Sequence, residues 1–226
     1  MQIKHKQNIL ALALLSSLGI AAPAAHAEGA LSANVGFVSD YIFRGIAQSD
    51  SSASAGLDYE NSGFYLGTWF ADVDLGLEVD LYGGYGGEFS GVSYGLGFTT
   101  YRYTSDKPDS PAATDGAFDD TYNEYNVSLG YGPVSVAYAG GTHDNFEGKV
   151  AGNKEVDYSV TTVTAEHNGF YALVGDYGKD SKGSWYELGY GTELGGFDAG
   201  VSLISSDKDL DNQEYLVFSL GKSFDL

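Results

Sequence analysis

Carboxylates at Asp40, Asp58, Glu60, Glu78, Asp80, Glu124, Asp157, Glu187, Glu193 and Asp198 fall on the parity opposite to runs of apolar residues, and Arg44 is the clearest base among them. Acids spaced this way line a polar surface that attracts cations; the bland alternative is that they only solvate an interior or knit a plug of hydrogen bonds. A second set, Asp106, Asp109, Asp115, Asp119 and Asp120, crowds the longest connection, and a third joins Asp207, Asp209, Asp211 and Glu214. Both suggest loose Mg²⁺ or Ca²⁺ bridging, because neither has the glycine and distal glutamate of an EF-hand loop. No dedicated metal site follows. Catalysis has little to work with: past the N-terminal segment the histidines are His143, in a loop, and His167, at a tight turn. A nucleophile needs its base held beside it, and no G-x-S-x-G motif is present. No enzyme and no cofactor are expected.

The elements that must position these side chains read as strands. Val92, Tyr94, Leu96 and Phe98 alternate with small or polar residues, as do Tyr125, Val127, Leu129 and Tyr131, and again Phe197, Ala199, Val201 and Leu203. A period of two gives each strand one apolar and one polar face. Alternation and turn signals predict about twelve strands, over 31–44, 51–60, 63–71, 76–87, 91–104, 121–131, 134–142, 155–167, 170–177, 184–194, 197–205 and 213–226. In the first, Tyr41 and Phe43 continue the apolar face while Asp40 and Arg44 take the other. The strand from Phe64 to Ala71 is apolar on both parities, which leaves its faces open.

Connections alternate in length. Glu60 to Gly63, Glu88 to Gly91, Gly132-Pro133, His167 to Gly169 and Leu194 to Gly196 read as tight turns, and mostly longer segments lie between them. The longest, Ser105 to Asp120, combines Pro108, Pro111 and Gly116 with its five aspartates and is expected to govern access. Short turns at one end and longer loops at the other are the pattern of an antiparallel transmembrane β-barrel. Pro108, Pro111 and Pro133 all fall in connections, so no strand interior loses a ladder hydrogen bond.

Residues 1–27 carry Lys4 and Lys6, an apolar run from Ile9 to Ala22, and Ala25-His26-Ala27. This reads as a secretory signal cleaved after Ala27, since the run is shorter than the roughly 20 residues a spanning helix needs. The barrel domain is then 28–226. Removing Lys4 and Lys6 from 11 basic residues leaves 9 against 31 acidic ones, a formal charge of −22, which argues against nucleic acid as a partner. The chain has no cysteine, so disulfides do not hold it. Its 32 Gly, 18 Tyr and 12 Phe suit curved strands with aromatic girdles better than a soluble core or a disordered acidic chain.

Val38-Ser39-Asp40-Tyr41, Phe43-Arg44-Gly45-Ile46 and Gln48 resemble the opening strand of the TorF family of proteobacterial porins. Gly63-Phe64-Tyr65, Gly67-Thr68-Trp69 and Leu77-Glu78-Val79-Asp80 fit as well; Ile42, Ala47 and the terminal Leu226 depart from the pattern. The resemblance implies an outer-membrane barrel of a Gram-negative cell. The expectation is an all-β, monomeric barrel set in lipid and lipopolysaccharide by the barrel-assembly machinery, passing small solutes with a preference for cations. The alternative is a structural or surface-interaction barrel with a filled lumen. Candidate lumen residues are Asp40, Arg44, Glu78, Asp80, Glu124, Asp157 and Glu187.

Overall fold

A computed structural model describes residues 29–74, 76–104, 121–144 and 155–226. The expected signal segment and the aspartates at 106, 109, 115, 119 and 120 lie outside the described residues. The wall is made of β1 (Ala30–Val38), β4 (Ser52–Asn61), β5 (Phe64–Val73), β6 (Gly76–Phe89), β7 (Val92–Tyr103), β8 (Thr121–Tyr131), β9 (Val134–Asp144), β10 (Glu155–His167), β11 (Phe170–Lys179), β12 (Ser184–Leu194), β13 (Phe197–Ser206) and β14 (Glu214–Asp225). These twelve form a closed antiparallel barrel, with β1 pairing to β4 on one side and to β14 on the other. Closure leaves no free sheet edge in the wall.

Sequence-level spans and wall strands agree, save at the start. The first strand was expected to run through Arg44; instead β1 stops at Val38, and β2 (Tyr41–Phe43) and β3 (Ile46–Ser49) form a separate two-stranded sheet. The ladder ends because Ser39 turns away: its N–H donates to the Phe218 carbonyl (2.9 Å), and its Oγ accepts the Phe218 N–H (2.9 Å). The chain then doubles back at Arg44-Gly45, with φ of 52° and 80°, the positive pair of a type I′ hairpin turn. Tyr41, expected on the outer face, is instead only 3% exposed.

Outside, the parity reading stands. Leu96 and Leu203 are each 56% exposed, and Phe98, Tyr125, Val127, Leu129 and Val201 share the outer face. An apolar surface that encircles the barrel is far larger than the patches a soluble monomer tolerates, and it matches a lipid-facing belt. The open question of β5 is resolved: Phe64 and Leu66 face out, while Trp69, Ala71 and Val73 turn in, Ala71 and Val73 being core residues packed by Trp69. Asp157 is a correction. In β10 the inward positions are Val156, Tyr158 and Val160, all buried, so Asp157 between them points outward and is exposed, near the end of the strand remote from its tight turn.

The five tight turns gather at one end of the barrel, with Asn168-Gly169 (φ 49° and 84°) typical of them. The two ends of the lumen differ. Toward the tight turns the inward positions are small or polar, including Ser32, Asn34, Asp58, Ser128, Thr162 and Ser202, and they remain partly exposed although they face the interior. Toward the long connections the inward positions are bulky and buried, with Trp185 at 0%, Tyr101 at 1% and Ile204 at 2%. One half of the lumen is therefore solvent-accessible and the other packed.

Candidate functional site

The packed half is organised by the β2–β3 hairpin, which folds into the lumen. Ile42 joins Tyr158, Val160, Leu173, Trp185, Ile204 and Val217 in one buried cluster; Tyr41 joins Ala71, Val73, Tyr101 and Tyr103 in another. One short hairpin thus packs against both sides of the wall. Gly45 lies so close to the wall that an added Cβ would come within 2.6 Å of Trp185 Cβ. Trp185 in turn lies across Gly175, where an added Cβ would meet its ring at 2.2 Å. A side chain at either position would displace the tryptophan.

Polar ties fix the rest. The Ala47 N–H donates to Asp211 Oδ2, which also accepts from the Tyr215 hydroxyl (3.1 Å), and the Gln48 carbonyl accepts the Asp74 N–H (3.1 Å). Asp207 accepts the Ser184 and Asp209 N–H groups, each at 2.9 Å. Of the acids considered above as cation ligands, Asp207 and Asp211 are engaged by backbone and tyrosine donors. Lys208 pairs with Asp209 at 2.9 Å on the surface.

At the hairpin tip Arg44 makes a two-pronged ion pair with Glu124: Nη1 to Oε2 at 2.9 Å and Nη2 to Oε1 at 3.0 Å. Glu124 also accepts the hydroxyls of Tyr101 and Tyr158, each at 2.9 Å, so four donors hold one buried carboxylate. Arg44 lies 4.7 Å from the Phe43 ring centre. Such planar, charge-assisted pairing suits arginine and fixes the orientation of both partners. Tyr122 makes edge contacts with Tyr101 and Tyr158 and stacks on His143 at 4.9 Å, so the histidine considered as a base packs in an aromatic layer.

The remaining expected lumen acids divide by depth. Asp40 sits half-buried at the rim and accepts the Ser39 hydroxyl (2.9 Å). Glu187 is buried, accepting from Trp185 Nε1 (3.0 Å) and the Tyr171 hydroxyl (3.3 Å). Glu78 and Asp80 are buried on β6; Glu78 has one long contact, 3.5 Å from the Tyr41 hydroxyl. Asp58 faces the accessible half, with donors from Tyr82 and Asn34. Sequence reasoning placed Arg44 among these acids but missed the hairpin that brings it there, and with it Tyr41, Tyr101, Tyr158 and Trp185. A signal existed: Tyr41-Ile42-Phe43 breaks the period of two, and Arg44-Gly45 between apolar residues is a short-turn pattern.

A family model described as "Bacterial protein of unknown function (Gcw_chp)" matches residues 22–219. The chain belongs to this family. Comparison with curated protein sequences finds no match. Among solved structures, a chain from work on the in-meso crystallization of membrane proteins has a TM-score of 0.57 at 11% identity, over 87% of this chain and 84% of that one. Its likeness concerns the fold, and agrees with a closed barrel. Acinetobacter baumannii OccAB2 shares 13% identity over 85% of this chain and 60% of its own, with a TM-score of 0.41. Pseudomonas aeruginosa OccK2 (OpdF), solved with glucuronate, shares 15% over 79% of this chain and 58% of its own, with a TM-score of 0.41. The chain thus spans about three fifths of the length of these two proteins.

Proposed function

We propose that this protein is a porin-like barrel of the outer membrane, a narrow passive channel for small solutes that prefers cations and is held closed by its own β2–β3 hairpin. The tight turns then face the periplasm and the long connections the cell exterior, as in outer-membrane barrels generally. The observation that carries the reading is the unequal lumen: an accessible, polar half leads up to a packed half whose centre is a hairpin outside the barrel ladder. The likeness of Val38 to Gln48 to the opening strand of TorF porins points the same way. Cation preference is supported by Glu78, Asp80 and Glu187 in the wall against Arg44, whose charge Glu124 already matches. In a low-dielectric tunnel such an imbalance sets the sign of the permeant ion.

The test is the reversal potential of refolded protein in planar bilayers across a KCl gradient, at low salt where screening is weakest. Cation-selective openings are expected, and changing Asp40, Glu78 and Asp80 together to Asn or Gln should move the potential toward zero. Anion selectivity, or indifference to the triple change, would contradict it. The second reading, a structural barrel with a permanently filled lumen, has the buried, packed half in its favour; bilayers that never conduct at any voltage would select it.

A further inference from the structure

The buried acids of β6, counted above toward the sign of the permeant ion, also have a chemistry of their own. Asp80 is 0% exposed, and neither of its carboxylate oxygens has a hydrogen-bond partner among the described residues. Glu78 is 1% exposed; its Oε2 has none, and its Oε1 has only the 3.5 Å contact with Tyr41. Two positions apart on one strand, both project to the same face and into the same part of the lumen. Buried carboxylates are ordinarily met by several donors, as Glu124 is by four and Glu187 by two. The nearby guanidinium does not serve: both prongs of Arg44 go to Glu124. Two formal negative charges are left in a desolvated space walled by tyrosines, where unmatched charge is strongly unfavourable.

We propose that Glu78 and Asp80 bind a hard divalent cation of the Ca²⁺ or Mg²⁺ class inside the packed half of the lumen. The donor set is all oxygen, which suits these ions and not the softer metals that seek thiolate or imidazole. One divalent ion matches the charge of the pair while the hairpin is seated. Through Tyr41, whose hydroxyl faces Glu78, the ion also braces the hairpin against the wall. The site needs the folded lumen and not conduction, so a barrel that never conducts leaves it standing.

Terbium, a luminescent stand-in for Ca²⁺, reads the site directly, because Tyr41 and its neighbours Tyr101 and Tyr103 act as the sensitising rings. Refolded full-length barrel in detergent, excited at the tyrosine band, is expected to give saturable Tb³⁺ emission that Ca²⁺ displaces. Glu78→Gln/Asp80→Asn should abolish it, and Asp209→Asn/Glu214→Gln, in the surface connection and at the start of β14, should retain it. Folding of each variant is checked by heat-modifiable electrophoretic mobility, and the single change Asp80→Asn, expected to weaken Tb³⁺ binding at least tenfold, replaces the double change if that fails to refold. In parallel, Ca²⁺ should raise the thermal midpoint of the wild type and not of the variant lacking these acids. Absence of saturable emission from the wild type, failure of Ca²⁺ to compete, or emission unchanged by the β6 substitutions would overturn the proposal, leaving protons to neutralise the pair.

Discussion

Glu124 gathers more of the interior than any other described side chain, since the hairpin arginine and tyrosines of β7 and β10 converge on its two oxygens. Its removal would leave Arg44 as a buried, unmatched cation, and breaking a buried pair from one side costs about 3–5 kcal/mol. Glu124→Gln is therefore expected to lower unfolding stability by that order. Arg44→Met/Glu124→Gln should recover most of the loss, because no charge is then stranded. Urea titration in micelles, followed by the fluorescence of Trp69 and Trp185, measures both; equal losses in the two variants would remove the ion pair from the account. At this scale the sequence was informative about type and mute about partner. Alternation put Glu78, Asp80, Glu124 and Glu187 inside, and they are inside; it also put Asp157 inside, where the strand end reads differently because Tyr158 and Val160 carry the larger burial. Nothing in a period of two says which acid an arginine eighty residues away will choose.

Among the elements, the wall strands were legible because an apolar outer face and a polar inner one impose the same alternation on each. The hairpin was not. Its side chains are buried on both parities, at Tyr41 and Ile42, and a short element packed on all sides carries no period to read. The longest connection, expected to control access, lies outside the described residues, whereas the structure seats residues 41–49 in the lumen. That seating gives a cleavage test. Arg44 is 6% exposed, so trypsin should leave the Arg44–Gly45 bond intact in the folded protein. Gly45→Ala puts a side chain at φ 80° against Trp185 and is expected to cost about 1–3 kcal/mol of local strain, loosening the hairpin. Mass spectrometry should find cleavage after Arg44 in this variant and not in the wild type. Equal cleavage in both would mean that the hairpin does not stay seated.

Taken whole, the molecule is a barrel turned inside out relative to a soluble protein, apolar on its outer face and divided within between an accessible half and a packed one. The outer belt predicts that Leu96→Lys destabilises the barrel by roughly 2–4 kcal/mol if its depth is near the bilayer midplane, the usual cost of a lipid-facing charge there. A neutral result in a lipid-bilayer unfolding assay would place that face away from lipid. The interior division is the central claim, and it makes the hairpin the barrier. Replacing Tyr41–Ser49 with a glycine–serine linker of equal length, with Glu124→Gln to avoid a stranded carboxylate, removes that barrier and leaves the twelve-strand ladder untouched. Single-channel recording of the wild type and this variant in planar bilayers is the most direct measurement. The account predicts brief or rare openings for the wild type and long-lived conductance, several-fold larger, for the variant. Identical conductance in the two would contradict it.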